Sequence, residues 1–131
     1  LPCEPRDLDA LLAEADVVSL HLSLNDETAN IIDARRLALL KPGAILVNTA
    51  RGGLIDEPAL IEALSQGRIA HAALDTFAEE PLAAGHPLTK LENVTLTGHA
   101  GFMTREASTR LLQSAYELTR EALGAESGPA A

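Results

Sequence analysis

Residues Ile45 to Gly53 read I-L-V-N-T-A-R-G-G: three apolar residues run straight into a polar turn that carries an arginine and then two glycines. The apolar run is too short to span anything, so it reads as a buried strand, and the turn reads as the place where that strand ends in a site. Two later strands stop in the same way, one at Asp75 and Glu80 and the other at His99.

Working outward, Leu37, Ala38 and Leu40 follow Asp33 at helical spacing, and Lys41-Pro42-Gly43 stops that helix just before the strand. Val17 to Leu22 is an earlier strand, preceded by a short helix that Asp7 caps and that Leu8, Leu11 and Leu12 stripe as far as Glu14. Between them Asn25-Asp26-Glu27-Thr28 reads as a loop opening another helical turn. On the other side Asp56 caps a helix with Pro58 in its first turn, a stripe of Leu60, Ile61 and Leu64, and Gly67 at its end. Ile69 to Leu74 and Val94 to Thr97 are the third and fourth strands, with a loop from Pro81 to Pro87 between them. Thr104 then caps a longer helix with Glu106 in its first turn, and Ala107, Leu111, Ala115, Leu118 and Ala122 form a stripe that is core or interface. Residues 124–131 read as a disordered tail.

Strands alternating with helices predict a parallel α/β sheet with flanking helices, the pattern of a Rossmann-like fold. A chain of 131 residues is the size of one domain, and with only 2% aromatic residues its core must be Leu, Ile, Val and Ala. A net charge of -9 without a basic cluster argues against a nucleic-acid partner. The single cysteine, Cys3, excludes an internal disulfide and fits a reducing, cytoplasmic setting. No apolar run approaches the ~18 residues of a membrane span. His71 and Asp75 lie four apart on a strand, where they do not share one face as on a helix, and no metal site is read. The first residue is Leu1 rather than methionine, which reads as a piece of something longer.

Every strand of a parallel sheet leaves the same edge, and open α/β folds bind ligands in the crevice outside the carboxyl ends. Arg51, Asp75, Glu80 and His99 are therefore expected in one cleft. The planar fork of an arginine grips a carboxylate bidentately, which orients a substrate. A histidine beside a carboxylate gives or takes a proton near neutral pH, and Glu80 is the candidate partner for His99. A clamped carboxylate next to a proton donor suits hydride reduction of a 2-oxo acid, or the reverse oxidation of a 2-hydroxy acid.

Three blocks carry a resemblance: V-N-T-A-R-G-G-L-I-D-E from Val47, A-A-L-D-T-F-A-E-E-P-L from Ala72 with H-P-L from His86, and N-V-T-L-T-G-H-A-G-F-M-T-R-E from Asn93. With A-D-V-V-S-L-H-L-S-L-N-D-E-T from Ala15 they resemble the D-isomer-specific 2-hydroxyacid dehydrogenases, the family of phosphoglycerate dehydrogenase and glyoxylate/hydroxypyruvate reductase. The resemblance implies an oxidoreductase using NAD or NADP, with Arg51 on the substrate carboxylate, His99 as acid/base and Glu80 supporting it. It places Asp75 at the nicotinamide ring, Thr49 and Leu22 at the cofactor, Thr28 near its phosphates, and Ala100 and Gly101 beside the nicotinamide. It further implies a small 2-hydroxy or 2-oxo acid as substrate and a homodimer in the full-length parent.

The sequence departs from the family pattern at Gly98 and Ser23, where proline is usual, and glycine frees the turn that aims His99. The family's G-x-G-x-x-G turn does not occur in these 131 residues. Residues 1–123 therefore read as the carboxy-terminal portion of an NAD-binding domain. The alternatives at this stage are a truncated module without catalytic competence and an NADH-sensing regulator of the same family.

Overall fold

The computed structural model describes residues 3–124; the expected disordered tail lies outside them except for Gly124. The chain divides into two compact units, Leu1–His99 and Ala100–Ala131.

The first unit contains α1 (Leu8–Glu14), β1 (Val17–Leu20), α2 (Ala34–Leu37), β2 (Ile45–Asn48), α3 (Glu57–Ser65), β3 (His71–Leu74) and β4 (Val94–Leu96), with short 3-10 turns at Gly52–Leu54 and Pro87–Lys90. The strands form one sheet in the order β1-β2-β3-β4. Every neighbouring pair is parallel, as the alternation of elements predicts. Leu20 pairs with Asn48, Asn48 with Leu74, and Leu74 with Leu96. The last residues of all four strands thus stand in one row, and the segments that follow them leave from one edge.

The helix starts form for the capping reasons legible in the sequence. Asp7 accepts hydrogen bonds from the Asp9 and Ala10 amides, Asp33 from the Arg36 amide, and Asp56 from the Ala59 amide, each satisfying a donor that the first helical turn leaves open. The stripes of these helices and one face of the sheet make a single core of Leu, Ile, Val and Ala, in which Leu12, Leu46 and Leu60 are among the fully buried residues. Burying one such leucine contributes about 1.5–3 kcal/mol. Alternation within β1 is clear: Val18 and Leu20 are buried while Val17 and Ser19 are exposed.

Several boundaries are tighter than the sequence pattern predicts. β1 stops at Leu20 because that is the last residue with a ladder partner, leaving His21 and Leu22 in the following segment. α2 ends at Leu37, yet Leu40 is still buried, so the apolar spacing persists as packing after the helix has closed. After Asn25 the chain makes a single helical turn, with the Thr28 and Ala29 amides donating to the Asn25 carbonyl at 3.1 and 2.8 Å, and Asn25 Oδ1 caps it by accepting from the Glu27 and Thr28 amides at 2.9 and 3.0 Å. The connection from β3 to β4 contains only the 3-10 turn at Pro87–Lys90.

The second unit holds α4 (Arg105–Ala122), capped by the Thr104 side chain on the Ala107 amide. None of its residues is buried, and Leu111, Leu112, Tyr116 and Leu118 are exposed. No helix among the described residues is long and apolar enough to cross a membrane.

One contact across helices went unread in the sequence. Arg35 Nη1 and Nη2 donate to Asp9 at 2.6 and 3.1 Å, and Arg36 Nε donates to it at 3.0 Å, so two guanidinium groups from α2 converge on the first turn of α1. The Arg35 and Arg36 hydrogen bonds hold the Asp9 carboxyl down to about 2 from its ordinary 3.8. A depressed carboxyl stabilises the fold above its unfolded pKa and loses that contribution as pH falls through the folded value. The stability difference between the wild type and Asp9→Asn should therefore be constant above pH ~4 and shrink toward pH ~2. Urea unfolding at stepped pH measures it, and a difference that does not change across that window would refute the linkage.

Candidate active site

The turn after β2 is shaped by a buried amide. Asn48 is fully buried; its Oδ1 accepts the Ala50 N–H at 3.0 Å and its Nδ2 donates to the Arg51 carbonyl at 2.9 Å. Both polar ends of the side chain are thus used to curl Thr49-Ala50-Arg51 over the sheet edge, which is how a buried amide avoids its desolvation cost. Arg51 projects from this turn with its side chain exposed, and its Nη1 donates to the Ala50 carbonyl at 2.7 Å. Leu22, Thr49 and Arg51 line one cleft of about 600 Å³ together with His21 and Ser23.

The turn after β3 carries the acidic groups. Asp75 is buried, its amide donates to the Asn48 carbonyl at 2.9 Å, and its Oδ1 accepts the Thr97 hydroxyl, so it ties the ends of β2, β3 and β4 together. Glu80 lies further along, before a cis peptide bond to Pro81. Its Oε1 accepts the Phe77 N–H at 3.0 Å and its Oε2 meets His99 Nδ1 at 2.8 Å. The His99 hydrogen bond, then the Phe77 amide, and also the positive charge of Arg51 lower the Glu80 pKa. An ionised carboxylate only accepts, so His99 Nδ1 carries the hydrogen of this bond. His99 itself sits at a φ of 54°, the left-handed region that costs a side-chain-bearing residue about 1–2 kcal/mol. Glu80, His99, Phe77 and Thr97 share a second cleft of about 620 Å³.

Of the residues singled out from the sequence, Glu80 and His99 are in direct contact, Arg51 acts on Glu80 through its charge, and Leu22 and Thr49 share the Arg51 cleft. Asp75 is at the expected strand end, buried in the sheet edge. The Thr28 hydroxyl donates to the Ser23 carbonyl at 2.7 Å and accepts the Asn25 N–H at 2.8 Å, which fixes the loop after β1. Ala100 and Gly101 begin the second unit, in the turn that leads to α4. The remaining histidines have side-chain partners: His21 bonds Ser19, His71 bonds Thr95, and His86 pairs with Glu57.

Gly52 is a site residue that the sequence reading passed over. A Cβ built on it would lie 1.9 and 2.0 Å from the Phe77 carbonyl carbon and oxygen and 2.5 Å from the Ala78 nitrogen. The β2 turn with Arg51 therefore rests directly on the peptide that leads to Glu80, a closeness only glycine permits. The paired glycines after Arg51 were the available signal, but the sequence did not say what they approach.

With this geometry in place, comparison with known proteins is decisive for the family. Residues 1–101 match the family described as D-isomer specific 2-hydroxyacid dehydrogenase, NAD binding domain. The chain belongs to this family. It is 50% identical over 117 residues to a glyoxylate reductase of Aeropyrum pernix, covering 89% of this chain and 35% of that protein. It is 47% identical over 129 residues to a D-3-phosphoglycerate dehydrogenase of Mycobacterium tuberculosis, covering 98% of this chain and 24% of that one. Among solved structures, an NAD-complexed D-isomer specific 2-hydroxyacid dehydrogenase from Lactobacillus delbrueckii superposes with a TM-score of 0.82 at 38% identity, covering 93% of this chain and 42% of that chain. The chain thus spans about a quarter to two fifths of the length of these relatives.

The two glycines of the site should respond differently to substitution. Gly52→Ala drives a methyl into backbone that cannot swing away, and is expected to cost about 1–3 kcal/mol or more. Gly98→Ala has nothing within 4 Å of the added Cβ, and should change stability by no more than about 1 kcal/mol. Urea denaturation midpoints of the two variants test this, and equal effects would refute the close approach.

Proposed function

We propose that this chain supplies the catalytic side of an NAD(P)-dependent dehydrogenase that interconverts a D-2-hydroxy acid and its 2-oxo acid. The observation that carries the reading is the 2.8 Å Glu80–His99 pair at the carboxyl edge of the parallel sheet, close enough to Arg51 for its charge to act on Glu80. The nicotinamide nucleotide fits the donor set available at this edge, with apolar Leu22 beside Thr49 in the Arg51 cleft and a buried carboxylate, Asp75, at the centre of the strand ends. Leu22, Thr28, Thr49, Asp75, Ala100 and Gly101 are the proposed cofactor residues, and no metal takes part. When bound, the reduced nucleotide supplies the hydride that reduces the carbonyl carbon.

The chain's own residues do the rest. Arg51 presents two parallel N–H donors to the substrate carboxylate and fixes which face of the carbonyl is offered. Glu80 holds the hydrogen of His99 on Nδ1, so the proton that the ring exchanges is the one on Nε2. In reduction that proton goes to the carbonyl oxygen as it becomes a hydroxyl, and in oxidation Nε2 takes it back. The ionised Glu80 also stabilises the imidazolium, and its lowered pKa keeps it ionised where His99 must carry charge. We place the protein in the cytoplasm, as a homodimer acting on a small acid.

NADH and NADPH oxidation should be followed with glyoxylate, hydroxypyruvate and pyruvate in the full-length gene product. His99→Ala should lower kcat by about 10²–10⁴-fold, the usual worth of a general acid. Arg51→Ala should lower kcat/KM roughly ten- to hundredfold, and Arg51→Lys should not restore it because an ammonium lacks the planar fork. Unchanged turnover in both alanine variants would sink the assignment.

A further inference from the structure

A second polar cluster lies behind the Glu80 loop. Glu57, in the first turn of α3, has a side chain only 15% exposed. Oε1 faces His86 Nε2 at 3.3 Å, and Oε2 accepts the Ala78 N–H at 3.3 Å. The capping role that a first-turn acid often plays is already filled by Asp56, whose Oδ1 takes the Ala59 amide at 3.1 Å. As a first-turn acid Glu57 complements the helix dipole, and the hydrogen bond that its side chain accepts is from outside the helix.

His86 is fixed in turn. Its Nδ1 accepts the Leu88 N–H at 3.3 Å, which requires that nitrogen to be bare of hydrogen, so the ring hydrogen is on Nε2, the atom that faces Glu57 Oε1 at 3.3 Å. The imidazole is thereby a strut between the 3-10 turn at Pro87–Lys90 and the start of α3. A cleft of about 470 Å³ lies between the start of α3 and the loop that carries Ala78 and Leu82, and Glu57 and His86 line it.

The amide that Glu57 grips belongs to the peptide seated on Gly52, and the next amide back, that of Phe77, is the one that binds Glu80. We infer that Glu57, oriented by His86, is a positioning residue for the Glu80–His99 pair, acting through the Phe77–Ala78 peptide that it clamps against Gly52. Without the Glu57 contact the Phe77–Ala78 peptide is held by its packing on Gly52 alone, and a shift of the Phe77 Cα that links it to the preceding peptide moves the Phe77 N–H relative to Glu80 Oε1. Glu80 then keeps His99 as a partner but loses the amide that fixes its carboxylate plane. The charged groups acting on Glu80 among the described residues are His99, after β4, and Arg51, after β2.

This inference rests on the hydroxyacid dehydrogenase reading, and the experiment separates the two. Steady-state kinetics of the full-length gene product are measured across pH for Glu57→Ala, Glu57→Gln and His86→Ala, each with a thermal melt. Glu57→Ala should lower kcat by up to roughly 100-fold, the scale of a small misplacement of a reacting group, with little change in KM for the nicotinamide nucleotide. The acid limb of its kcat/KM profile should move to higher pH, because Glu80 without the Phe77 amide is protonated more readily. Glu57→Gln keeps an oxygen for the Ala78 N–H but turns a donor toward His86, so its limb should move less. His86→Ala should resemble the glutamine variant.

A merely structural Glu57 lowers the melting temperature and leaves the limb where it was. An unmoved limb in Glu57→Ala and Glu57→Gln, or in Glu57→Gln alone should the alanine variant not fold, overturns the positioning role. Full activity in Arg51→Ala and His99→Ala overturns the assignment of those two residues instead, and no oxidation of NADH or NADPH by the wild type overturns the enzymatic reading.

Discussion

Everything in the first unit depends on a register: Leu20, Asn48, Leu74 and Leu96 stand side by side across four parallel strands. Because the side-chain period of a strand is two, a slip of one residue in any pair would exchange the buried and open faces of that strand. It would also carry the following turn away from its neighbours. The core of Leu12, Leu46 and Leu60 therefore does more than stabilise the unit. By holding the register it places Arg51, Asp75 and His99 after the ends of adjacent strands.

Register brings segments to an edge, but the side chains on them need local supports, and those supports are polar. Asn48 spends both ends of its amide on the turn that presents Arg51. Asp75 joins the ends of β2, β3 and β4 by an amide and a carboxylate bond. Each is buried and satisfied, the condition under which a polar group in the interior adds definition without a penalty for lost hydration. Arg51 thus stands on a turn held by groups one layer beneath it.

The His99 backbone shows what these supports achieve. At a φ of 54° it occupies a region that side-chain-bearing residues avoid. Glu80 holds the imidazole from the other side, and Phe77 holds Glu80. A pair assembled from two loops, each anchored at its own strand, keeps its geometry only while both anchors do, and the packing of the Phe77–Ala78 peptide on Gly52 is part of one of them.

Much of this was legible in the sequence. The caps Asp7, Asp56 and Thr104, the helical spacing after Asp33 and the four apolar runs determine the elements, because capping and periodicity are local properties of neighbouring residues. The polar residues that stop three of the runs marked the site for the same reason. What the sequence could not state was which groups meet across long separations. Asp9 with Arg35 and Arg36, Glu57 with His86 and Ala78, and Gly52 with Phe77 are contacts between segments far apart in the chain, and no local pattern encodes them. The spacing of residues along the chain determined that polar turns follow the strand ends and where they begin. Only packing in three dimensions decided which nitrogen of His99 faces Glu80, because that depends on distances between loops that register and burial set together.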